Sequence, residues 1–573
     1  MTSAQDRHHP PTARPLRVAC IGGGPGGLFT AIALSHSMPD ASIDVFERNH
    51  ESDVFGFGVV FSDATLENVD AVDPVLRETL DANGTHWDTI SVRTASTTIS
   101  AGGNGMSAVH RRVLLDAMRK RACDRGARLH FATEVTVDEL DARGDYDLIV
   151  AADGANSSVR QRFADELGHT VDEARVKFIW FGTTFGFDGL TFLHKQSEHG
   201  NFAVHGYPIG SGLSTFIVET DEPTWRRAGL DAFDVTSPPG QSDVETQRYL
   251  ETLYTDEIDG HRLVANNSRW ANFRTRRTQR WYTSAENGTP VVLLGDAVHT
   301  AHFSVGSGTK MAMEDAAVLA QAIAEHPDDL PAALGEFERI RRPQVAKIQD
   351  SSMPSLSWWD HFGEYCRAFE PWQFGFHFFS RAISAEKIRL RDPMFIAETE
   401  QAWQMKYGAA PPDTPLQVGA RTLGGRLLRM IDYSKNRIGL TDGTTVLSAN
   451  GEGNGHRDDV ALPLVTAPET DSTSLDPGTR AVLDRLCARQ PAAVVMRGGT
   501  ALARVLCSEH IRLNHRIPTI VVDEPSSIRT RRAVNEQDCA STLILSGRAD
   551  AVAFEPEANA TNGVAAQPVA AER

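Results

Sequence analysis

The sequence predicts an α/β chain: a largely parallel sheet of the nucleotide-binding type, interrupted by an inserted antiparallel sheet, with a smaller α/β region behind it. Three observations carry that prediction. Residues 17–48 read strand, glycine turn, helix, strand; residues 291–323 read buried strand, loop, helix; and residues 177–219 alternate in aromatic-rich runs with the period of half-buried strands.

Arg17 to Ile21 is the first strand, Leu28 to Ser35 a helix and Ile43 to Phe46 the second strand. The turn between the first two carries Gly22, Gly24, Pro25 and Gly27 in a Gly-x-Gly-x-x-Gly pattern. The first glycine makes the turn, the second admits a pyrophosphate and the third lets helix and sheet pack closely, while the helix start favours negative charge. Glu47 ends the second strand, 20 residues beyond Gly27, where it can accept from ribose hydroxyls and repel a 2′-phosphate, which selects FAD or NAD. Arg48 adjoins it among the candidate nucleotide contacts. A helix–sheet turn without a ligand is the alternative.

Downstream, Phe55 to Val60 is an apolar segment relieved by Gly56 and Gly58, and Arg111 opens an R-x-x-L segment in which Arg112 is the competing candidate and a surface ion pair the third reading. Residues 146–160, YDLIVAADGANSSVR, make a buried strand ending at Asp153-Gly154, with Ser157 and Arg160 following; a helix cap is the competing role for Asp153. In the antiparallel region Trp180, Phe181, His205 and Tyr207 are candidates to line a pocket, although core packing suffices for each. The run 269–282, RWANFRTRRTQRWY, holds five arginines. It is a solvated strand edge or a phosphate grip centred on Arg276 and Arg277.

Val291 to Leu294 end at Gly295-Asp296, a loop with His299, His302 and Phe303 follows, and Gly306, Gly308 and Thr309 open a helix whose apolar face is Ala312, Ala316, Leu319, Ala320 and Ile323. Glycines at a helix start let N–H groups approach an anion. His302 or His299 is suited to withdraw or relay a proton near neutral pH; a bond that merely orders the loop serves equally.

A chain of 573 residues calls for two or three domains. Its 75 acidic against 57 basic residues, a net charge of −18, argue against nucleic acid or an anionic membrane as the partner. No apolar run reaches membrane-spanning length, and residues 1–16 are polar and proline-rich, so a disordered tail and a cytoplasmic protein are expected. The six cysteines form no C-x-x-C pair, and no metal site is expected.

Together GGGPGG at 22–27, AADGANSSVR at 151–160 and VVLLGDAVHTAHFSVGSGTKMAMEDAA at 291–317 resemble the three fingerprints of the single-component flavoprotein aromatic hydroxylases built like para-hydroxybenzoate hydroxylase, over residues 16–400. The resemblance implies a Rossmann-like FAD-binding domain (17–400) with a substrate sheet (170–280) inserted, NADH or NADPH as a transient co-substrate, and dioxygen donating an oxygen atom to an aromatic ring. It places Arg111, the Asp153-Gly154 segment and Asp296 at the cofactor. No second Gly-x-Gly-x-x-Gly follows the substrate sheet, so no separate NAD(P)H domain is expected. Phe303 and Ser307 stand where the family commonly has Pro and Gln, and HFSVGSGTKMAMEDA is similar instead to the branch of salicylyl-CoA 5-hydroxylase, 2-aminobenzoyl-CoA monooxygenase/reductase and the violacein-pathway hydroxylase. That branch implies an aromatic CoA thioester as substrate. A hydroxylase of tryptophan-derived intermediates and a non-catalytic FAD-binding redox or ligand sensor are the alternatives; monomer and homodimer both stay open.

Residues 414–434 and 510–552 resemble the opening and closing strands of old yellow enzyme barrels. The span 411–554 is too short for a full barrel, so a degenerate remnant is expected, with an acidic, mobile linker at 441–476 and a tail at 555–573. A degenerate thioredoxin-like tail is the alternative. Val522-Asp523-Glu524, where a phosphate-binding turn belongs, argues for a lost flavin site, because acidic side chains repel phosphate.

Overall fold

The computed structural model describes residues 14–62, 66–234, 240–306, 308–432, 437–440, 446–448, 460–470 and 472–555. The expected tails at 1–13 and 556–573 lie outside these residues, as do 441–445, 449–459 and 471 of the expected linker. Residues 14–16 and 555 are already held: Arg14 pairs with Asp147, the Leu16 carbonyl accepts from Ser42 N–H, and Glu555 pairs with Arg497.

The first sheet runs Tyr282–Ser284, Pro290–Leu293, Leu148–Ala151, Arg17–Ile21, Ser42–Phe46, Arg128–His130, parallel throughout except at its first pair. Its central strands are buried on both faces, and the helices Pro25–Ser37 and Gly308–Glu325, packed against each other, share one apolar core with them. Ile21, Ala151 and Leu293 stand side by side in register, so the segments that follow them leave the sheet at one edge. Three motifs more than a hundred residues apart in sequence thereby become neighbours at the carboxyl ends of parallel strands, the position where such sheets take ligands.

The inserted sheet is built from His169–Thr183, Leu190–Gln196, Asn201–Pro208, Ser214–Thr220, Leu263–Ala265 and Ala271–Thr278. It also takes Ile90–Arg93 and Thr98–Ala101 from the first domain, which the 170–280 boundary did not include. Trp358, Trp359, Phe374 and Phe378 pack against it. Two of these sit on a single helix, Leu330–Ala368, which holds Pro343 and Pro354 in its interior.

In the C-terminal region Leu464–Thr466, Val494–Arg497, Thr519–Asp523 and Ala551–Phe554 lie parallel and in chain order, separated by helices, with Leu427–Asp432 parallel beside the last. Arg437–Leu440 and Val446–Ser448 extend the sheet antiparallel. Within the expected mobile linker, Val446–Ser448, Val460–Ala461 and Leu464–Thr466 are strands. This sheet does not stand alone: Phe376, Ile388, Phe395 and Trp403 share one apolar core with Leu483, Val521 and Leu543.

Candidate functional site

At the edge where the three motifs meet lies a cavity of about 1050 Å3, roofed by the antiparallel sheet. The glycines of the first motif do three different jobs. Gly22 has φ +109°, and a Cβ there would meet the Ala152 carbonyl oxygen at 2.3 Å; a Cβ on Gly27 would meet the Gly22 oxygen at 2.0 Å; a Cβ on Gly24 meets nothing within 4 Å. Gly24 and Pro25 line the cavity. The turn is thus closed on its protein side and open where a pyrophosphate needs room. Glu47 accepts from Gly23 N–H (2.9 Å) and Asn49 N–H (2.9 Å), which fixes its carboxylate beside the turn, whereas Arg48 is exposed.

Arg111 lines the cavity, while Arg112 is exposed and donates to the Ser52 carbonyl. Loss of hydration lowers the Arg111 pKa, with Asp296 opposing the shift. The Asp296 carbonyl accepts from Arg160 (3.3 Å), while its carboxylate projects into the cavity with no hydrogen-bond donor among the described residues. Its pKa is raised because the surrounding walls strip its hydration, against the pull of His299, Arg111, Arg276 and Arg160. Opposite, Gly306 (φ +61°), Gly308 and Thr309 bring the start of the helix Gly308–Glu325 to the same space. An unpartnered carboxylate, a helix start and an open glycine turn facing one cavity fit the hydroxyl-rich, anionic body of a flavin dinucleotide.

Two expected cofactor contacts are placed elsewhere. Asp153 accepts from Ser158 N–H (2.8 Å) at the start of the helix Ser158–Arg162, behind the Ser157 cap, and does not line the cavity, whereas Ala152, Gly154, Ala155 and Asn156 of the same motif do. Arg160 is buried and donates to the Ala297 (2.8 Å) and Ala155 (2.7 Å) carbonyls, lacing the second motif to the third without lining the cavity.

The histidines need correction too. His299 bonds Asp315 (2.7 Å), which also accepts from Gly295 N–H (2.9 Å) and Arg341 (2.8 Å). That carboxylate is held down at about 2, its partners outweighing burial. His299 therefore orders the loop from behind. His302 is also buried behind the wall, bonding Ser304 Oγ (2.8 Å) and lying 3.4 Å from Glu219. Phe303, packed beside His302, does line the cavity, 5.1 Å from Phe178 and 6.2 Å from Trp180 in ring centroids.

His205, Trp180 and Tyr207 line the cavity. Glu219 was missed. Its carboxylate is fully buried and accepts from His205 Nε2 (2.6 Å), joining His205 and His302 in one buried row. Burial opposes its charge, yet the two imidazoles bring its pKa down to about 2, while burial lowers that of His205. The available signal was an acidic residue in STFIVET, a strand with every residue buried. The arginine run also divides. On the strand Ala271–Thr278 the pleat sends Arg276 into this cavity, beside Asn156, and Arg277 to the opposite side, 3.2 Å from Asp350. The two arginines thus line different cavities.

These features define a flavin-dependent hydroxylase fold with an aromatic-lined ring site beside the dinucleotide loops. Residues 16–352 match the FAD binding domain family; the chain belongs to it and is an FAD-dependent aromatic monooxygenase. It is 48% identical to salicyloyl-CoA 5-hydroxylase of a Streptomyces species, over 94% of this chain and 99% of that one. It is 35% identical to 3-hydroxy-4-methyl-anthranilyl-[aryl-carrier protein] 5-monooxygenase of Streptosporangium sibiricum and 31% identical to protodeoxyviolaceinate monooxygenase of Chromobacterium violaceum. Each of those matches covers 60% of this chain and 89% of the relative. Among the described residues no helix is long and apolar enough to cross a membrane.

Proposed function

We propose that this enzyme hydroxylates the ring of an aromatic acyl-CoA thioester, with salicyloyl-CoA at carbon 5 as the specific substrate and position. The reading rests on the match along nearly the whole chain to a salicyloyl-CoA 5-hydroxylase. FAD, when bound, supplies electron transfer from NADH or NADPH and activation of dioxygen. In this proposal the Gly24 turn holds its pyrophosphate, Glu47 its ribose, and Arg111, Asp296 and the Gly306–Thr309 helix start its flavin end.

His205 then takes the proton of the ring hydroxyl. Its Nε2–H is committed to Glu219, which leaves Nδ1 as the acceptor. Withdrawing that proton enriches the ring in electrons at the para carbon, the position to be hydroxylated. Phe303, Trp180 and Tyr207 exclude water around the ring. The C-terminal sheet, with its parallel strands in chain order, supports the reading of that region as an open remnant of a (β/α)8 reductase barrel.

The test is NADH oxidation and product mass with salicyloyl-CoA, free salicylate and a tryptophan-derived acid as parallel substrates. Acceleration by the thioester with one oxygen added at carbon 5 is expected. Preference for the tryptophan derivative would shift the assignment to the violacein-type chemistry, and no acceleration by any of them would reject the thioester reading.

A further inference from the structure

Behind the ring site lies a second cavity of about 540 Å3, and Arg381, Ala382 and Ile383 line both. Its far wall follows three successive parallel strands of the C-terminal sheet. Thr470 comes after Leu464–Thr466, Gly499 and Thr500 after Val494–Arg497, and Glu524 and Ser526 after Thr519–Asp523. Carboxyl ends of parallel strands are where such sheets bind ligands, because the loops there vary while the strands hold them in place.

In a chain of net charge −18, this cavity is bordered by Arg277, Arg381, Arg504, Arg531 and Arg548 against Asp350, Glu509 and Glu524. Asp523, expected to repel phosphate, is instead clamped between Arg504 (3.0 Å) and Arg531 (2.8 Å). Arg277 is paired with Asp350, and Arg548 lies 3.8 Å from Glu509. Arg381 differs. It donates to Ser355 Oγ (2.9 Å) and the Phe378 carbonyl (2.9 Å) and lies 3.9 Å above the Phe378 ring, and among the described residues no carboxylate is within ion-pair distance of it. A guanidinium enclosed without a counter-ion is costly until an anion arrives.

We infer that the second cavity seats the adenosine pyrophosphate end of the substrate's coenzyme A arm, which passes Arg381 on its way from the ring site. The inference rests on the thioester reading above. The volume lies in the range of ligand pockets, roughly 300–1000 Å3. The salicyloyl-CoA relative matches this chain through the C-terminal sheet, whereas the aryl-carrier-protein relative, with 89% of its own length aligned, matches only 60% of it.

Binding of coenzyme A itself to the FAD-loaded enzyme, followed by calorimetry, tests the site without turnover. Ser526 and Glu524 are exposed at its rim, so both can change charge without disturbing the core. Ser526→Glu should weaken coenzyme A about fivefold and Glu524→Lys strengthen it by a similar factor, both effects shrinking in high salt. The KM for salicyloyl-CoA should follow, and the KM for its N-acetylcysteamine thioester, which lacks the nucleotide, should not. Failure of coenzyme A to bind, or variants that leave its affinity unmoved, overturns the site even if the thioester is hydroxylated. A shift in the KM for NADH in place of coenzyme A affinity also overturns it, assigning the cavity to the co-substrate. Charge-dependent coenzyme A binding without hydroxylation of any thioester keeps the site and rejects the reading it rests on.

Discussion

Glu219→Gln isolates the buried row behind the ring site, because the amide keeps the shape and can still accept from His205. The two imidazoles hold the Glu219 carboxyl at about 2, below its ordinary range, against a burial penalty that works the other way, so the fold stabilises its ionised form. The folded pKa is depressed, so this stabilisation is present above pH 4.5 and is lost as pH falls toward 2. At neutral pH the substitution should cost about 1.5–3 kcal/mol, the range for a hydrogen bond to a charged group, which leaves a folded protein. The larger effect is on chemistry. Burial lowers the His205 pKa and the Glu219 charge partly restores it, so removing the charge makes His205 a weaker base. Hydroxylation should fall about ten- to a hundredfold, within the range for a positioned general base, and the acid limb of its pH profile should move to lower pH. Flavin content should not change. Product formation, NADH consumption and bound FAD measured across pH check all three. A variant with the wild-type rate, or an acid limb that stays in place, refutes His205 as the proton acceptor.

Gly24→Val should fold normally yet purify colourless, because its side chain enters space open in the protein but needed by the pyrophosphate; normal flavin content measured by absorbance contradicts that placement. Asp296→Asn should lower flavin occupancy while raising the melting temperature of the apoprotein above neutral pH. The raised pKa means the ionised carboxylate is disfavoured by the fold, a penalty that grows as pH rises through it, and thermal scans of both apoproteins check the sign. Deletion after residue 410 should give insoluble protein, since it strips the shared core and removes the partner of the Tyr365–Glu509 bond (2.7 Å); a soluble, flavin-loaded fragment contradicts this.

The dinucleotide half was legible because its demands are local. Gly22, Gly24 and Gly27 each answer a backbone requirement that only a few residues can meet, and strand, turn and helix follow within thirty positions. The ring site was legible only as a list of candidates. Whether a loop histidine reaches the cavity depends on what lies behind it, and the partners of His299 and His302 come from the following helix and from the antiparallel sheet. Glu219 makes the same point in reverse: its value arises from a strand pairing that brings it beside His205. Arg276 and Arg277 were paired in the phosphate-grip alternative because the run was treated as composition, when strand alternation already sends neighbouring side chains to opposite faces. The C-terminal sheet was half-legible, since the turn at Asp523 could be located but not the arginines that neutralise it.

The helix Leu330–Ala368 spans roughly 58 Å at the standard rise per residue, and three of its side chains report to three different places. Arg341 holds Asp315 under the flavin loop, Gln349 Nε2 donates to the Arg276 (2.8 Å) and Thr300 (2.9 Å) carbonyls beside the ring site, and Tyr365 bonds Glu509 at the edge of the C-terminal cavity. Such a rod acts as a common ruler. A shift of the C-terminal half along its axis would displace the loop bearing Phe303 by the same distance, so recombining that half with another oxygenase requires carrying the whole helix across the junction.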